Sequence, residues 1–461
     1  MTGDGAVRAV DAPRRAAYDP SASDAELREA FLAGEIPVAV YGLGKMGLPL
    51  AAVYADVCGN VTGVDVDESV VDTVSSGDCH VEREPGLAEL VADVVDRGAL
   101  SATSDTVAAA RAASVHVLMV PTLLDGHEPD LSTVEAALES IGAGLSPGDL
   151  VVVECTVPPR TTRDLVVPTL ARISGLEVGE FGAAACPERT SSGRALEDVR
   201  GAYPKVVGGV DAESTRVASI IYGEVTSNDV IATSDAATAE AVKVFEGVYR
   251  DVNIAVANQL ARYAGTLDVD VNEAIEVANT QPYCDIHTPG PGVGGHCIPV
   301  YPYFLAGAFP EVDAGLLHAA RDVNDSMPEH TVALLEAMLD AHGVDGDAPT
   351  VLLLGLAYRG NVAELRFSPG PVVARELAAT GARVLAADPF VDDWTDFEGV
   401  ERVPMDRLET QKVDAVAVLA GHDEFRDLDW TGFDAPVLDG RFLLPEDVDA
   451  PVYTIGGRWP R

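Results

Sequence analysis

Ile36-Pro37-Val38-Ala39-Val40-Tyr41-Gly42-Leu43-Gly44-Lys45-Met46-Gly47 is the stretch on which the fold turns. An apolar run of strand character, Ile36 to Tyr41, meets three glycines spaced G-x-G-x-x-G, and a helical run from Leu48 to Val57 follows at once. A second apolar run, Val61 to Val64, ends at Asp65. Strand, glycine turn, helix, strand and acid, in that order, make a dinucleotide-binding unit. Gly42 permits the tight turn, Gly44 lets a pyrophosphate approach the backbone, and Gly47 lets helix and strand pack. Lys45 and Met46 complete the turn and count with it as cofactor-binding residues. Phosphate is favoured at the helix N-terminus by unpaired N–H groups and the helix dipole. Asp65, 18 residues after Gly47, can accept from both ribose hydroxyls and repels a 2′-phosphate, so the expected cofactor is NAD and not NADP.

Further strand candidates alternate with helices: Val115 to Val120, Leu150 to Val153, Glu180 to Ala184, and Lys205-Val-Val-Gly-Gly. The first three end in Pro121-Thr122, Glu154-Cys155-Thr156 and Cys186-Pro187-Glu188-Arg189. In an open parallel sheet the carboxyl ends of strands line the ligand crevice, so these tails are expected there. Ala232 to Gly265 is a long helical pattern without proline. Within it Lys243 lies among Ala241, Val242, Val244 and Phe245, a setting in which lysine is rarely kept without a partner. The bland alternative is a lysine snorkelling from a packed helix. Helical patterns continue to Ala278 and resume around Ala314 to Val323; this segment has no sheet of its own and is expected to pair with its copy in another subunit. Thr350 to Leu354, Arg383 to Ala387 and Val413 to Leu419 then mark a second α/β unit without a G-x-G-x-x-G. The expected class is α/β, with two Rossmann-like doubly wound domains joined by a central all-helical domain. The expected boundaries are an acidic extension over 1–35, the NAD-binding domain over 36–231, the helical domain over 232–330 and a nucleotide-sugar domain over 331–461.

At 461 residues the chain suits roughly three domains of ~150 residues. Its net charge of −43 excludes nucleic acid, whose phosphates need Lys and Arg, and an anionic membrane surface. The 74 acidic residues are dispersed along the chain, and only four of the 31 basic residues are lysines: Lys45, Lys205, Lys243 and Lys412. Such a surface suggests adaptation to high salt, where self-repulsion is screened. No run of ~18 apolar residues reads as a membrane span, and Met1 to Pro37 has no apolar core of signal-peptide type, so a cytoplasmic location is expected. The six cysteines form no C-x-x-C pair; neither a disulfide framework nor a metal site is expected.

Cys297 stands apart. It ends the loop Pro289-Gly-Pro-Gly-Val-Gly-Gly-His-Cys297-Ile-Pro299. Glycines let such a backbone come close to a ligand, and prolines stiffen it. The loop alone is as compatible with a tight turn over a buried, inert thiol as with a thiol held against a bound molecule. Gly290 to Ile298, Tyr249-Arg-Asp-Val-Asn-Ile-Ala255, Ala320-Arg-Asp-Val-Asn324 and Cys186-Pro-Glu-Arg189, in this domain order, resemble the UDP-glucose/GDP-mannose dehydrogenase superfamily from about Ile36 on. The glycine loop is most similar to the UDP-N-acetylhexosamine branch, especially the UDP-N-acetyl-D-mannosamine dehydrogenases.

The resemblance implies oxidation of a sugar C6 alcohol to the carboxylate, with two NAD consumed in turn. It implies Cys297 as the thiolate that captures the aldehyde, as a thiohemiacetal and then a thioester that water hydrolyses. Lys243 would be the cation beside each oxyanion. Thr156 and Glu188 would position water and the reacting oxygen. Glu188, Arg189, Lys243, Arg250, Asn253, Gly294, Gly295, His296, Arg359 and Arg366 match substrate-binding positions; Pro121, Thr122 and Thr156 match the cofactor crevice. Arg359, Asn361, Glu364, Arg366 and Ser368 match the family's Lys-x-Asn-x-Asp-Asp-x-Arg-x-Ser-Pro stretch, with Arg for Lys and Glu for the second Asp. The chain departs from the pattern at Gly247, where the family usually has asparagine, at Tyr301, where it usually has aspartate, and at Tyr283, where the branch has arginine. Other readings are a dehydrogenase for another nucleotide sugar, such as UDP-glucose, and a nucleotide-sugar-binding homologue without turnover. The partners expected are a UDP-sugar and a second copy of the chain, as a homodimer or larger homo-oligomer.

The charge makes a prediction of its own. The melting temperature should rise steeply from low to molar KCl as self-repulsion is screened; a salt-independent melting temperature removes the high-salt reading.

Overall fold

Ser23 starts the first helix, Asp24–Leu32, with a reciprocal cap: its hydroxyl accepts the Glu26 N–H while the Glu26 carboxylate accepts the Ser23 N–H. Leu27, Ala30 and Phe31 of that helix are buried in the core of the first sheet. The Tyr18 hydroxyl donates to Asp211 at 3.0 Å, and Arg216 pairs with Asp24 at 2.6 Å. The computed structural model describes residues 14–344, 348–395, 397–445 and 448–459. Residues 1–13 of the expected acidic extension thus lie outside the described residues, whereas 14–35 pack on the sheet that follows.

The chain divides into two compact units. One runs to Phe245 and includes Tyr303–Ala308; the other comprises Glu246–Pro302 and the residues from Phe309 on. In the first unit the strands are β1 (Val38–Tyr41), β2 (Val61–Val64), β3 (Leu100–Thr103), β4 (Val115–Leu118), the hairpin β5 (Leu123–Asp125) and β6 (Glu128–Asp130), β7 (Leu150–Val153), β8 (Gly182–Ala185), β9 (Lys205–Gly209) and β10 (Val230–Ala232). The main sheet has the order β10-β9-β8-β7-β4-β1-β2-β3, parallel except where β8 meets β9. Val38 sits opposite both Val61 and Val115. β1, β4 and β7 are buried along their whole length, which is why they read as unbroken apolar runs. The strand order reverses between β1 and β4, and the glycine turn after β1 opens onto that switch point.

The second unit repeats the plan. β11 (Thr350–Leu354), β12 (Arg383–Ala387), β13 (Val400–Arg402), β14 (Ala415–Val418), β15 (Val437–Asp439) and β16 (Val452–Thr454) form an all-parallel sheet in the order β13-β12-β11-β14-β15-β16. Its switch point lies between β11 and β14. Between the two sheets in sequence come the helices Ala236–Ala261, Val271–Ala278, Gly315–Asp325 and Met327–Ala341. The architecture is therefore two Rossmann-like domains with a central helical region. Among the described residues no helix is long and apolar enough to cross a membrane.

Candidate active site

The glycine fingerprint divides its labour as the spacing predicts. Gly42 has φ +92, and a Cβ there would strike the Met119 carbonyl at the end of β4; a Cβ on Gly47 would strike the Gly42 carbonyl. Neither position tolerates a side chain. A Cβ on Gly44 would meet nothing within 4 Å, so the space over this turn is open at the switch point. The helix Gly47–Cys58 presents its N-terminal N–H groups there. At the end of β2, Asp65 Oδ2 accepts the Leu43 N–H at 2.8 Å and Oδ1 the Asp67 N–H at 3.0 Å. Each carboxylate oxygen keeps a second lone pair, and the side chain is only partly shielded, so it can still accept from a ribose. These residues fit NAD. Lys45 is exposed and Met46 partly buried beside them. Thr122, after β4, donates to the Thr156 carbonyl after β7 at 2.7 Å; Pro121 is exposed next to it.

Glu188 and Lys243 meet in the same unit. Lys243 Nζ lies 3.3 Å from Glu188 Oε1, with both side chains largely shielded. The Thr190 N–H and hydroxyl both reach Glu188 Oε2 at 2.7 Å. Burial pushes the Glu188 carboxyl up, but Lys243 and these two donors outweigh it and hold it below the usual range. A lysine among alanine and valine is thus paired rather than snorkelling. Lys205, another of the four lysines, pairs with buried Glu154 at the end of β7, and Tyr222 donates to the same carboxylate. The Arg189 guanidinium donates to the Pro204 carbonyl at 3.0 Å and lies over the Tyr203 ring.

In the second unit the Cys297 loop is fastened along its length. The Gly290 N–H donates to Asn258 Oδ1 at 2.9 Å, and the Gly295 N–H to the Arg366 carbonyl at 2.9 Å. Gly294 and Gly295 abut Tyr358, whose hydroxyl accepts from Arg359. His296 bridges Arg366, at 3.0 Å from Nδ1, and Glu364, at 2.7 Å from Nε2. Arginine cannot accept, so Nδ1 carries the lone pair and Nε2–H donates to Glu364. Cys297 is partly exposed, and its carbonyl accepts from Val300 and Tyr301, opening the helix Tyr301–Ala306. No disulfide joins any of the six cysteines. Asn253 holds backbone instead of facing open space: it donates to the Asp285 carbonyl at 2.8 Å and accepts the His287 N–H at 3.1 Å. Arg250 is exposed near His287.

Arg441, two residues past the carboxyl end of β15, is a candidate that the sequence reading missed. Its Nε donates to the Leu419 carbonyl at 2.7 Å, and an η-nitrogen lies 3.2 Å from where a Gly290 Cβ would stand. Among the described residues no carboxylate pairs with it, and burial lowers it to about 10. The available signal was Asp439-Gly440-Arg441 directly after an apolar strand.

Three family domains match the chain: the NAD binding, central and UDP binding domains of the UDP-glucose/GDP-mannose dehydrogenase family, over residues 36–226, 237–326 and 352–445. A UDP-N-acetyl-D-mannosamine dehydrogenase of Pyrococcus horikoshii is 34% identical over 416 residues, spanning 89% of this chain and 96% of that one. This chain belongs to the UDP-glucose/GDP-mannose dehydrogenase family. An NDP-N-acetyl-D-galactosaminuronic acid dehydrogenase of Ralstonia nicotianae is 35% identical over 85% of the chain and 92% of its own length. The solved structure of a UDP-glucose dehydrogenase from Pyrobaculum islandicum superposes with a TM-score of 0.81 at 28% identity, over 92% of this chain and 98% of that one. The family is one of NAD-dependent nucleotide-sugar dehydrogenases, and NAD is the cofactor of its first domain.

Gly247 and Tyr301 pack directly against each other. The buried Tyr301 ring lies against the helix Ala236–Ala261 where a side chain on Gly247 would project; a Cβ there would stand 3.0 Å from both Cγ and Cε2 of the ring and closer still to Cδ2. The sign of a small substitution follows. Glycine inside a helix is ordinarily worse than alanine by about 1 kcal/mol. Here Gly247→Ala should instead destabilise by about 1–3 kcal/mol through overpacking, while Gly247→Ala should become favourable once Tyr301→Ala has opened the space. Urea midpoints of the two single variants and the double variant check this; stabilisation by Gly247→Ala alone refutes the close packing.

Proposed function

We propose that the protein is an NAD-dependent UDP-N-acetylhexosamine 6-dehydrogenase acting on UDP-N-acetyl-D-mannosamine. The observation that carries this is the Cys297 loop, held at Gly295 and His296 by the Arg366 and Glu364 segment of the UDP-binding domain. The names of the relatives in Pyrococcus and Ralstonia support an N-acetylated sugar. NAD supplies the hydride acceptor for both oxidations. Cys297 supplies the nucleophile: its thiolate adds to the C6 aldehyde left by the first oxidation, and the resulting thiohemiacetal loses two further electrons and two protons, its C–H hydrogen as hydride and its hydroxyl proton, to become a thioester. Water then displaces the thiol and leaves the carboxylate. Lys243, already charge-paired with Glu188, is the cation for the oxyanions, and Glu188 and Thr156 orient water. Arg441 and Arg359 take the diphosphate; Arg441 suits that role because no carboxylate neutralises it among the described residues.

The reading makes a stoichiometric prediction. With UDP-N-acetyl-D-mannosamine the protein should form two NADH per sugar, with the uronate identified by mass. Cys297→Ala should abolish acid formation and leave NAD binding intact, because the fingerprint lies in the other unit. Undiminished acid production by that variant would sink the mechanism. Turnover with NADP equal to that with NAD would remove the role given to Asp65.

A second reading has one observation in its favour. Tyr301 fills the place where the family usually has aspartate, one helical turn from Cys297. A nucleotide-sugar-binding homologue without turnover would bind NAD and UDP-sugar yet form no NADH with any UDP-sugar tested. Self-association through the central helices belongs to the first reading and is supported by exposed Tyr249, Val256 and Tyr263. Light scattering checks it; a monomeric mass at micromolar concentration refutes it.

A further inference from the structure

The sequence carries the tetrapeptide Arg-Asp-Val-Asn twice, at Arg250–Asn253 and Arg321–Asn324, and the chemistry above uses neither copy fully. The structure joins them. Asp251 is fully buried; its Oδ1 accepts from Arg321 at 2.6 Å and from Asn324 Nδ2 at 2.8 Å, and its carbonyl accepts from the same Nδ2 at 3.0 Å. Asn324 Oδ1 then accepts from Asn258 Nδ2 at 2.9 Å, and Asn258 Oδ1 accepts the Gly290 N–H. Asn258 and Asn324 are themselves buried.

This chain of bonds has a fixed direction. A backbone N–H can only donate, so Asn258 must show its oxygen to Gly290 and its NH₂ to Asn324. Asn324 must therefore show its oxygen to Asn258 and its NH₂ to Asp251, where Arg321 supplies the counter-charge. Reversing either amide breaks bonds on both sides. Asn253, five residues before Asn258 on the same helix, grips Asp285 and His287 just upstream of the loop. One helix thus fixes the backbone at 285, 287 and 290, and Arg366 fixes it again at 295. Four polar side chains buried where leucine would pack are weak as a source of stability; what they contribute is a unique position.

We propose that Asn258, supported by Asn324, Asp251 and Arg321, is a positioning residue that sets the placement of the Cys297 thiol. The proposal deepens the Cys297 mechanism and rests on it. The test uses the full chain and the variants Asn258→Ala, Asn258→Asp, Asn324→Ala and the Asn258→Ala/Asn324→Ala double variant. Two readouts are taken beside the melting temperature: the rate at which iodoacetamide alkylates Cys297, followed by peptide mass, and the separate kcat and KM for NAD. Asn258→Ala should alter the alkylation rate and lower kcat on the order of tenfold or more, with the KM for NAD unchanged. Asn258→Asp keeps an acceptor for Gly290 and should recover part of both. The double variant should be no worse than Asn258→Ala, because the chain is already broken. Parental alkylation in Asn258→Ala, an Asn258→Asp variant no better than Asn258→Ala, or losses that add in the double variant overturn the proposal. Should Asn258→Ala not fold, Asn258→Asp and Asn324→Ala decide by the same readouts. A parent without NADH formation defeats the dehydrogenase reading and leaves the alkylation arm to judge the bracket.

Discussion

A charged nitrogen taken out of water is costly unless an anion or several acceptors face it, and much of the ordered chemistry in this protein follows from that requirement. Lys243 faces Glu188, Lys205 faces Glu154, and Arg321 faces Asp251. Glu188 and Glu154 lie beyond the carboxyl ends of β8 and β7, and Asp251, on the helix Ala236–Ala261, is linked to the glycine loop through Asn324 and Asn258. A chain with 74 acidic residues has no shortage of carboxylates at its surface. It is the few cations inside that decide which carboxylates matter. Arg262 and Arg441 have no carboxylate among the described residues; Arg262 is met by a carbonyl, a hydroxyl and a sulfur, whereas Arg441 keeps only the Leu419 carbonyl, which is the reason for giving it an anionic ligand.

The parts of the fold that the sequence disclosed are those buried on both faces. Val38–Tyr41, Leu150–Val153 and Thr350–Leu354 are continuous apolar runs because parallel strands with covered faces leave no place for alternation. The edges were silent. β3, Leu-Ser-Ala-Thr, and β10, Val-Ile-Ala, are short and partly exposed, and carry no pattern a strand could be told by. Roles were harder still. Arg189 and Asn253 lie within matched motifs, and no spacing could have told that each also reaches a backbone carbonyl. Asn258 could not be found, because its partners are 32 and 66 residues away and a lone asparagine on a helix reads as ordinary surface.

Six strands around each switch point follow the same order, and the carboxylate after the second strand sets the two sheets apart. Asp65 ends β2 with lone pairs to spare. Asp388 follows β12 at the corresponding place, buried, accepting the N–H groups of Leu356, Ala357, Phe390 and Val391 and the His422 ring. Burial pushes Asp388 up, but His422 and these backbone donors hold it low. Its hydrogen-bonding capacity is spent on its own turn, so the second sheet has no acceptor to offer a ribose at that point.

The interlocked Gly247 and Tyr301 also impose an order on any redesign of this corner. A Cβ at position 247 would meet three atoms of the Tyr301 ring, so a larger residue cannot enter there while the ring is in place. A smaller residue at position 301 meets no such bar, because glycine leaves its side of the contact empty. The pair is a one-way latch: position 301 has to be opened before position 247 can be filled.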